Sequence, residues 1–303
     1  MDITTKQFQL LTDEDIIWQL MTENYEPLFV NGTAAPSFEY YMTSANFESA
    51  YASSCRIWLD SGRPVGFVYY EDDVDKLFFI LRRGYGSLAG DMLNYAVNNM
   101  YGEDKTLVFT DGQKALMQAA SELGFSEKEV YIDNTLDFSK GSLDFPLPAD
   151  YHFVRPETVN TAKLTKCMWL GFDCGDFPAD TDLIHMDDDH PLRQLYLAVE
   201  GNTLAPPPHS TYEHNIIIAD ESGEYVCFSG MWWVEQNKLA YMEPLCTVPG
   251  HRGKGLAAAA LSEHYRRMKA LGAKYMTGGG NVFYKKIGYN TEIKWHRWKK
   301  DTP

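Results

Sequence analysis

Arg252-Gly253-Lys254-Gly255-Leu256-Ala257 follows directly on Leu245-Cys246-Thr247-Val248-Pro249-Gly250-His251, and this run decides how the second half of the chain folds. Upstream, Leu239 to Val248 reads as a strand that stops at Pro249-Gly250. Downstream, Leu256, Ala260, Leu261, Tyr265, Met268 and Leu271 recur at helical spacing and form one apolar stripe. Between strand and helix, two glycines and a small alanine let the backbone approach a ligand closely with its N–H groups exposed. A helix start adds about half a positive charge, and the flanking Arg252 and Lys254 add more. Together these features can hold a pyrophosphate. Taken alone, the glycine spacing also suits a tight turn that serves backbone geometry only.

The wider context narrows the choice. Leu245 to Ala257 resembles the coenzyme-A signature of the GNAT acyltransferase superfamily, Gln/Arg-x-x-Gly-x-Gly/Ala after a strand. Further on, Asn281-Val282-Phe283-Tyr284-Lys285-Lys286-Ile287-Gly288-Tyr289 resembles that family's late Asn…Tyr-x-x-Leu-Gly-Phe segment. Both motifs stand in the right order, and the resemblance covers residues 150–300. A Walker loop would need a Gly-Lys-Ser/Thr, and a Rossmann fingerprint would need a later acidic residue on a second strand; neither pattern fits.

The resemblance implies acetyl-CoA as co-substrate, no metal, and direct attack of an acceptor amine on the thioester in a ternary complex. It assigns cofactor binding to Cys246, Thr247, Val248, Arg252, Gly253, Lys254, Gly255, Leu256, Ala257 and Asn281. Asn281 precedes Tyr284 by less than one helical turn, whereas the family's spacing is about two turns. An amine is mostly protonated at neutral pH, so a base must take its proton. Glu243, on the strand upstream of the glycines, falls where the family often keeps a carboxylate and is assigned that role or the orienting of the amine. Tyr284, four residues before Gly288, is assigned as donor to the departing thiolate. As bare residues, Glu243 also suits an edge-strand carboxylate in solvent, and Tyr284 a packed helix aromatic. Cys246 suits a small buried strand residue better than a nucleophile.

At 303 residues and 45% hydrophobic, the chain exceeds the usual single domain, so two domains are expected. Residues 139–151 carry Gly, Ser and two prolines and read as a linker between residues 1–142 and 143–303. The same order of elements recurs on either side. Helical patterns at Asp13 to Met21 and Thr158 to Leu170 precede strand pairs at Arg56–Leu59 with Val65–Tyr70, and at Asn215–Ala219 with Tyr225–Trp233. A third strand (Lys76–Leu81; Leu239–Val248) then runs into a glycine-rich turn and a helix. The halves close on Leu123-Gly124-Phe125 and Ile287-Gly288-Tyr289. Such recurrence marks a duplicated domain.

The first half keeps a faded cradle, Arg82-Arg83-Gly84-Tyr85-Gly86-Ser87-Leu88-Ala89. Leu88 stands where a small residue is needed, and Ala120 where the tyrosine would be. The chain resembles the tandem GNAT proteins, a grouping that includes mycothiol-synthase-like enzymes. That likeness implies an α/β (α+β) fold of two GNAT-like domains, each a mixed, mostly antiparallel sheet flanked by helices, with the first degenerate.

A formal charge of −15 argues against a nucleic-acid partner. Residues 251–300 nevertheless hold 12 of the 27 Lys and Arg and only two acids, Glu263 and Glu292, which suits a local polyanionic ligand or a solvated basic face. Seven aspartates (Asp173, Asp176, Asp180, Asp182, Asp187, Asp188, Asp189) fall within 171–189, a region that the resemblance places on the wall of the acceptor cleft. Such a wall would draw a cationic small-molecule amine; a solvated acidic loop is the plainer reading. Two histidine pairs, His185/His190 and His209/His214, lack the i, i+4 spacing of a zinc site. The five cysteines form no CxxC pair, and no apolar run is long enough for a membrane span. A reduced cytoplasmic protein is expected, with no membrane partner and with homodimerisation left open. Two rival functions are a transferase that takes its acyl group from charged tRNA and a non-catalytic acyl-CoA-binding regulator.

Overall fold

A computed structural model describes residues 2–178, 181–204 and 206–301. By contact the chain divides into two units, Met1–Met42 with Asn46–Asp133 and Glu292–Pro303, and Thr43–Ala45 with Asn134–Thr291. The division falls inside a strand rather than in the Pro/Gly stretch at 139–151, because strand pairing sets which residues share a core.

The chain opens with β1 (Ile3–Gln7), α1 (Glu14–Asn24), α2 (Ala35–Met42), β2 (Arg56–Asp60), β3 (Arg63–Tyr70) and β4 (Lys76–Leu81). Next come α3 (Ala89–Asn99), β5 (Thr106–Thr110), α4 (Lys114–Glu122) and β6 (Phe125–Asp137). The second unit follows with β7 (Tyr151–Phe153), α5 (Thr161–Gly171), α6 (Pro191–Leu204), β8 (Ile216–Asp220), β9 (Tyr225–Val234) and β10 (Leu239–Thr247). It ends with α7 (Leu256–Ala270), β11 (Tyr275–Thr277) and α8 (Val282–Ile287), and the chain closes on β12 (Thr291–Lys300).

Both units use one plan. In the first, β1, β2, β3 and β4 pair antiparallel in turn, β4 pairs parallel with β5, and β12 completes the sheet against β5. In the second, β7, β8, β9 and β10 pair antiparallel, β10 pairs parallel with β11, and the end of β6 completes the sheet against β11. The single parallel pair in each half follows from its connection, a crossover through α3 or α7. Left-handed glycines end α4 and α8, Gly124 at φ 80° and Gly288 at φ 114°, which is why both halves show an apolar-Gly-aromatic close.

In the second unit the sheet is covered on both faces, so Ile216-Ile217-Ile218 reads as an unbroken apolar run. Ile216 and Ile218 face Leu256 and Ala260 of α7, while Ile217 faces Leu164 and Cys167 of α5. Leu261, Tyr265 and Met268 extend the α7 stripe onto Met231, Met242 and Met276. Leu271, counted into that stripe from spacing, is exposed, because α7 stops at Ala270. Among the described residues no helix is long and apolar enough to cross a membrane.

Candidate functional site

The site begins where β10 and β11 part. Their pairing registers Leu239 with Tyr275 and Ala240 with Met276, and the Met242 N–H then donates to Thr277 Oγ1 at 2.7 Å. Beyond Thr277 the chain turns away through Gly278-Gly279. The Gly278 N–H donates to the Asn134 carbonyl at 2.9 Å, and the Asn134 side-chain amide donates to the Gly279 carbonyl at 2.7 Å. Meanwhile Leu245, Cys246 and Thr247 of β10 stay paired with Ser229, Phe228 and Cys227 of β9. Among the described residues no strand pairs with the other edge of that stretch.

Glu243 lies at the bulge in β10, between Met242 and Leu245, and is half-buried. A bulge re-aims side chains and strengthens local twist. It also brings the Glu243 carbonyl so close to Gly230 that any Cβ there would collide with it, so Gly230 holds the bulge in place.

Past Val248 a short turn at Pro249–His251 delivers the cradle. Gly253 and Gly255 hold φ 75° and 83°, left-handed values that β-carbons resist, and nothing lies within 4 Å of where their Cβ atoms would be. Gly255 is the N-cap of α7 and offers no side-chain cap, so the first-turn N–H groups of that helix keep no intrahelical acceptor. Lys254 is exposed, and its Nζ donates to the Tyr151 hydroxyl at 3.2 Å, which itself lies 3.0 Å from His251 Nδ1. Thus Gly253, Lys254, Gly255 and the start of α7 come together at one open surface, with Ala257 half-buried behind them.

The other sequence-assigned cofactor residues turn their side chains elsewhere. Leu256 is core. The Cys246 thiol is buried against α5, with its Sγ 3.9 Å from the Cys167 carbonyl; contact with Cys246 and burial push the Cys167 thiol well above its usual range. Thr247 Oγ1 donates to Cys227 Sγ at 3.4 Å, and the Val248 N–H donates to the Val226 carbonyl at 2.9 Å. Arg252 sends Nε to the Thr247 carbonyl at 3.0 Å and one terminal nitrogen to the Gly171 carbonyl and Asp173 Oδ2, both at 2.9 Å. Asn281 caps α8, accepting from the Phe283 N–H at 2.9 Å.

Tyr284 is 8% exposed and stacks edge-on against Phe283 and Tyr289. A Cβ at Gly278 would stand 2.7 Å from its ring, and one at Gly279 would stand 3.7 Å from its hydroxyl. The glycines that open β11 away from β10 therefore also make room for Tyr284 beside that opening. The triple glycine at 278–280 is visible in the sequence, but its part in the opening is not.

In the acidic stretch, Asp173 adopts a left-handed φ of 56° and meets Arg252, while Asp182 pairs with His185 and Asp188 with Arg193. Asp176, Asp187 and Asp189 are exposed, and Asp180 lies outside the described residues.

The first unit fills the corresponding opening with its own chain. Beyond the β4–β5 pairs, the Val30 carbonyl accepts from the Gly112 N–H at 2.9 Å and Thr110 Oγ1 at 3.0 Å. The buried Gln113 amide donates to the Phe79 carbonyl, while its oxygen accepts from the Thr110 N–H at 2.9 Å. Gly32, at φ 118°, passes so close that a Cβ would stand 2.9 Å from the Phe79 carbonyl. Arg82 of the faded cradle is paired with Glu23, whose carboxyl Arg63, Gln19 and Arg82 hold down at about 2. Tyr85 donates to Asp60 Oδ2, and of the two glycines only Gly84 keeps a positive φ.

The second unit thus combines a strand that leaves its parallel neighbour, a left-handed glycine turn and a helix start. Residues 182–289 match the model of the acetyltransferase (GNAT) family, so the second half carries a GNAT domain. Similar structures share the whole architecture at low identity. A GNAT-family acetyltransferase from Colwellia psychrerythraea superposes with a TM-score of 0.60 at 12% identity, covering 98% of this chain and 100% of that one. A tandem GNAT protein from the clavulanic acid biosynthesis pathway gives 0.54 at 12%, covering 98% of both. A GCN5-related N-acetyltransferase from Sphaerobacter thermophilus gives 0.52 at 12%, covering 99% and 96%. No curated protein matches the chain significantly in sequence.

Proposed function

We propose that this protein transfers an acetyl group from acetyl-CoA to the primary amine of a small cationic molecule, by direct attack in a ternary complex. The observation that carries this reading is the edge of β10 at Leu245–Thr247 that no strand pairs with among the described residues, which leads into the Gly253–Gly255 turn and the first turn of α7. The residues present fit a coenzyme-A pyrophosphate: two glycines whose Cβ positions are open, exposed N–H groups, the positive end of a 15-residue helix and Lys254 beside it. Acetyl-CoA bound there supplies the acetyl group as a thioester.

The chain's own groups then have distinct tasks. N–H groups on the free edge of β10 would stabilise negative charge developing on the thioester oxygen. Glu243 would receive the amine's proton, directly or through a water, and Tyr284 would give a proton to the departing thiolate. Exposed aspartates after α5 would raise the local concentration of a cationic acceptor. The five cysteines are free thiols, which suits a reducing, cytoplasmic setting.

The test is thiol release from acetyl-CoA with spermidine, glucosamine, tyramine and glycinamide as acceptors. Amine-dependent release supports the reading. Tight acetyl-CoA binding with no release for any amine favours a non-catalytic acyl-CoA-binding regulator, and absence of binding overturns the cofactor assignment.

A further inference from the structure

Arg252 opens the glycine turn, yet its side chain points away from it. The guanidinium reaches Thr247 at the end of β10 and, on its other side, Gly171 and Asp173 at the end of α5. We infer that Arg252 is a positioning residue that latches the start of the acidic acceptor loop onto the strand beside the cofactor turn, rather than a phosphate ligand. This rests on the proposed acetyl transfer only in giving that loop its acceptor role.

Four structural features support the latch. Gly171 is the last residue of α5, so its carbonyl lies at the negative end of the helix, where a cation is favourable. Asp173 sits at φ 56°, and its N–H donates to the Leu170 carbonyl at 3.2 Å, so the chain reverses sharply at the point that the guanidinium holds. Directly beyond, the Cys174 N–H bonds the Trp169 carbonyl at 3.0 Å, and the Trp169 indole bonds the Asp176 carbonyl at 3.2 Å. These contacts pass the position of Asp173 on to the next aspartate. Gly171 itself presses on Cys246: a Cβ there would stand 2.8 Å from Cys246 Sγ. The loop's root is thus seated on β10 by packing and by Arg252 together.

Arginine is required by the geometry. The Arg252–Asp173 ion pair is exposed, and an exposed pair alone contributes little. The rest comes from reaching two backbone carbonyls and a carboxylate at once, from nitrogens set in a rigid plane. Lysine has one nitrogen and cannot span Thr247, Gly171 and Asp173 together. The consequence is specificity of role: the motif's arginine acts on acceptor binding, and the glycine backbone with Lys254 acts on the cofactor.

Three measurements on the full chain test this, with Arg252→Lys, Asp173→Asn and the double variant. Calorimetry with acetyl-CoA should show less than about a threefold change in Kd for each. Hydrogen exchange of residues 171–178, without any ligand, should show protection falling about tenfold in each single variant and no further in the double. With spermidine as probe, KM should rise about tenfold with kcat nearly unchanged, and Asp173→Glu should restore it. An Arg252→Lys variant that loses acetyl-CoA affinity tenfold while the loop keeps its protection would overturn the latch. The first two readouts need no turnover, so failure of spermidine as an acceptor bears on the proposed function and not on the latch.

Discussion

The two halves of this chain share a plan and differ at its centre. In each, two neighbouring strands, β4 with β5 and β10 with β11, run parallel for a few residues and then part. In the second half the parting leaves one edge of β10 without a strand partner among the described residues, because Gly278 and Gly279 carry the chain toward β6. In the first half Val30 to Gly32 and the Gln113 amide take up the backbone groups at the same place. The fold does not decide which outcome occurs. A buried carbonyl left unmade costs about 1–3 kcal/mol, so an opening persists where a ligand or solvent completes it and closes where the chain can. In the first cradle Arg82 is paired with Glu23, and only one of the two glycines holds a positive φ.

The sharpest way to break this contrast is at Tyr284, for which the first half has Ala120. Tyr284→Phe should lower kcat by roughly 10²–10⁴-fold with little change in acetyl-CoA affinity, since its proton matters as the thiolate forms. Wild-type turnover would make Tyr284 a packing residue only. Next comes Glu243→Gln, expected to cut turnover at neutral pH by roughly 10–10³-fold, with partial recovery in alkali where free amine is plentiful. A raised KM at constant kcat would instead give Glu243 an orienting role.

The cradles can be compared directly. Gly255→Val introduces strain of about 1–3 kcal/mol at a positive φ and fills the open side of the turn, so acetyl-CoA affinity should fall by roughly a hundredfold or more. Gly84→Val carries the same kind of strain at φ 90°, yet should leave that affinity unchanged. Calorimetry should find one acetyl-CoA site per chain. Two equivalent sites would sink the contrast.

The smallest expected effect concerns acid. His264 on α7 is fully buried, bonded to Ser229 at 3.0 Å, and burial lowers its pKa from 6.5 to about 3, with Arg267 and His214 adding to the fall and Glu263 opposing it. The unfolded chain therefore binds a proton that the folded one refuses. Stability of the second unit is full above pH 6.5 and declines as pH falls toward 3, by at most about 1.4 kcal/mol per pH unit. In the first unit Glu23 is lowered from 4.5 to about 2, so its contribution holds above 4.5 and is lost only below. Hydrogen exchange at pH 5.5 should show α7 and β9 loosening before β3 and β4. Equal protection in both would count against the account of His264.

Much of this molecule is legible in the sequence. The strand ending at Pro249-Gly250, the glycine turn and the α7 stripe follow from local chemistry, since φ freedom, helix periodicity and turn residues act within a few positions of themselves. The duplication was legible for the same reason, because both halves repeat those local signals in order. Three things were not. Only strand pairing shows that β12 returns to the first unit, because a strand's partner is chosen by distant residues. The filling of the first opening joins Val30 to Thr110 and Gly112 across the unit, which no spacing rule reaches. And a motif arginine is read from sequence by its charge, whereas the carbonyls it meets, Thr247 and Gly171, are brought together by the packing of α5 on β10. Local geometry is written in neighbouring residues; which backbone groups are left open, and which side chains close them, is settled by contacts far apart in the chain.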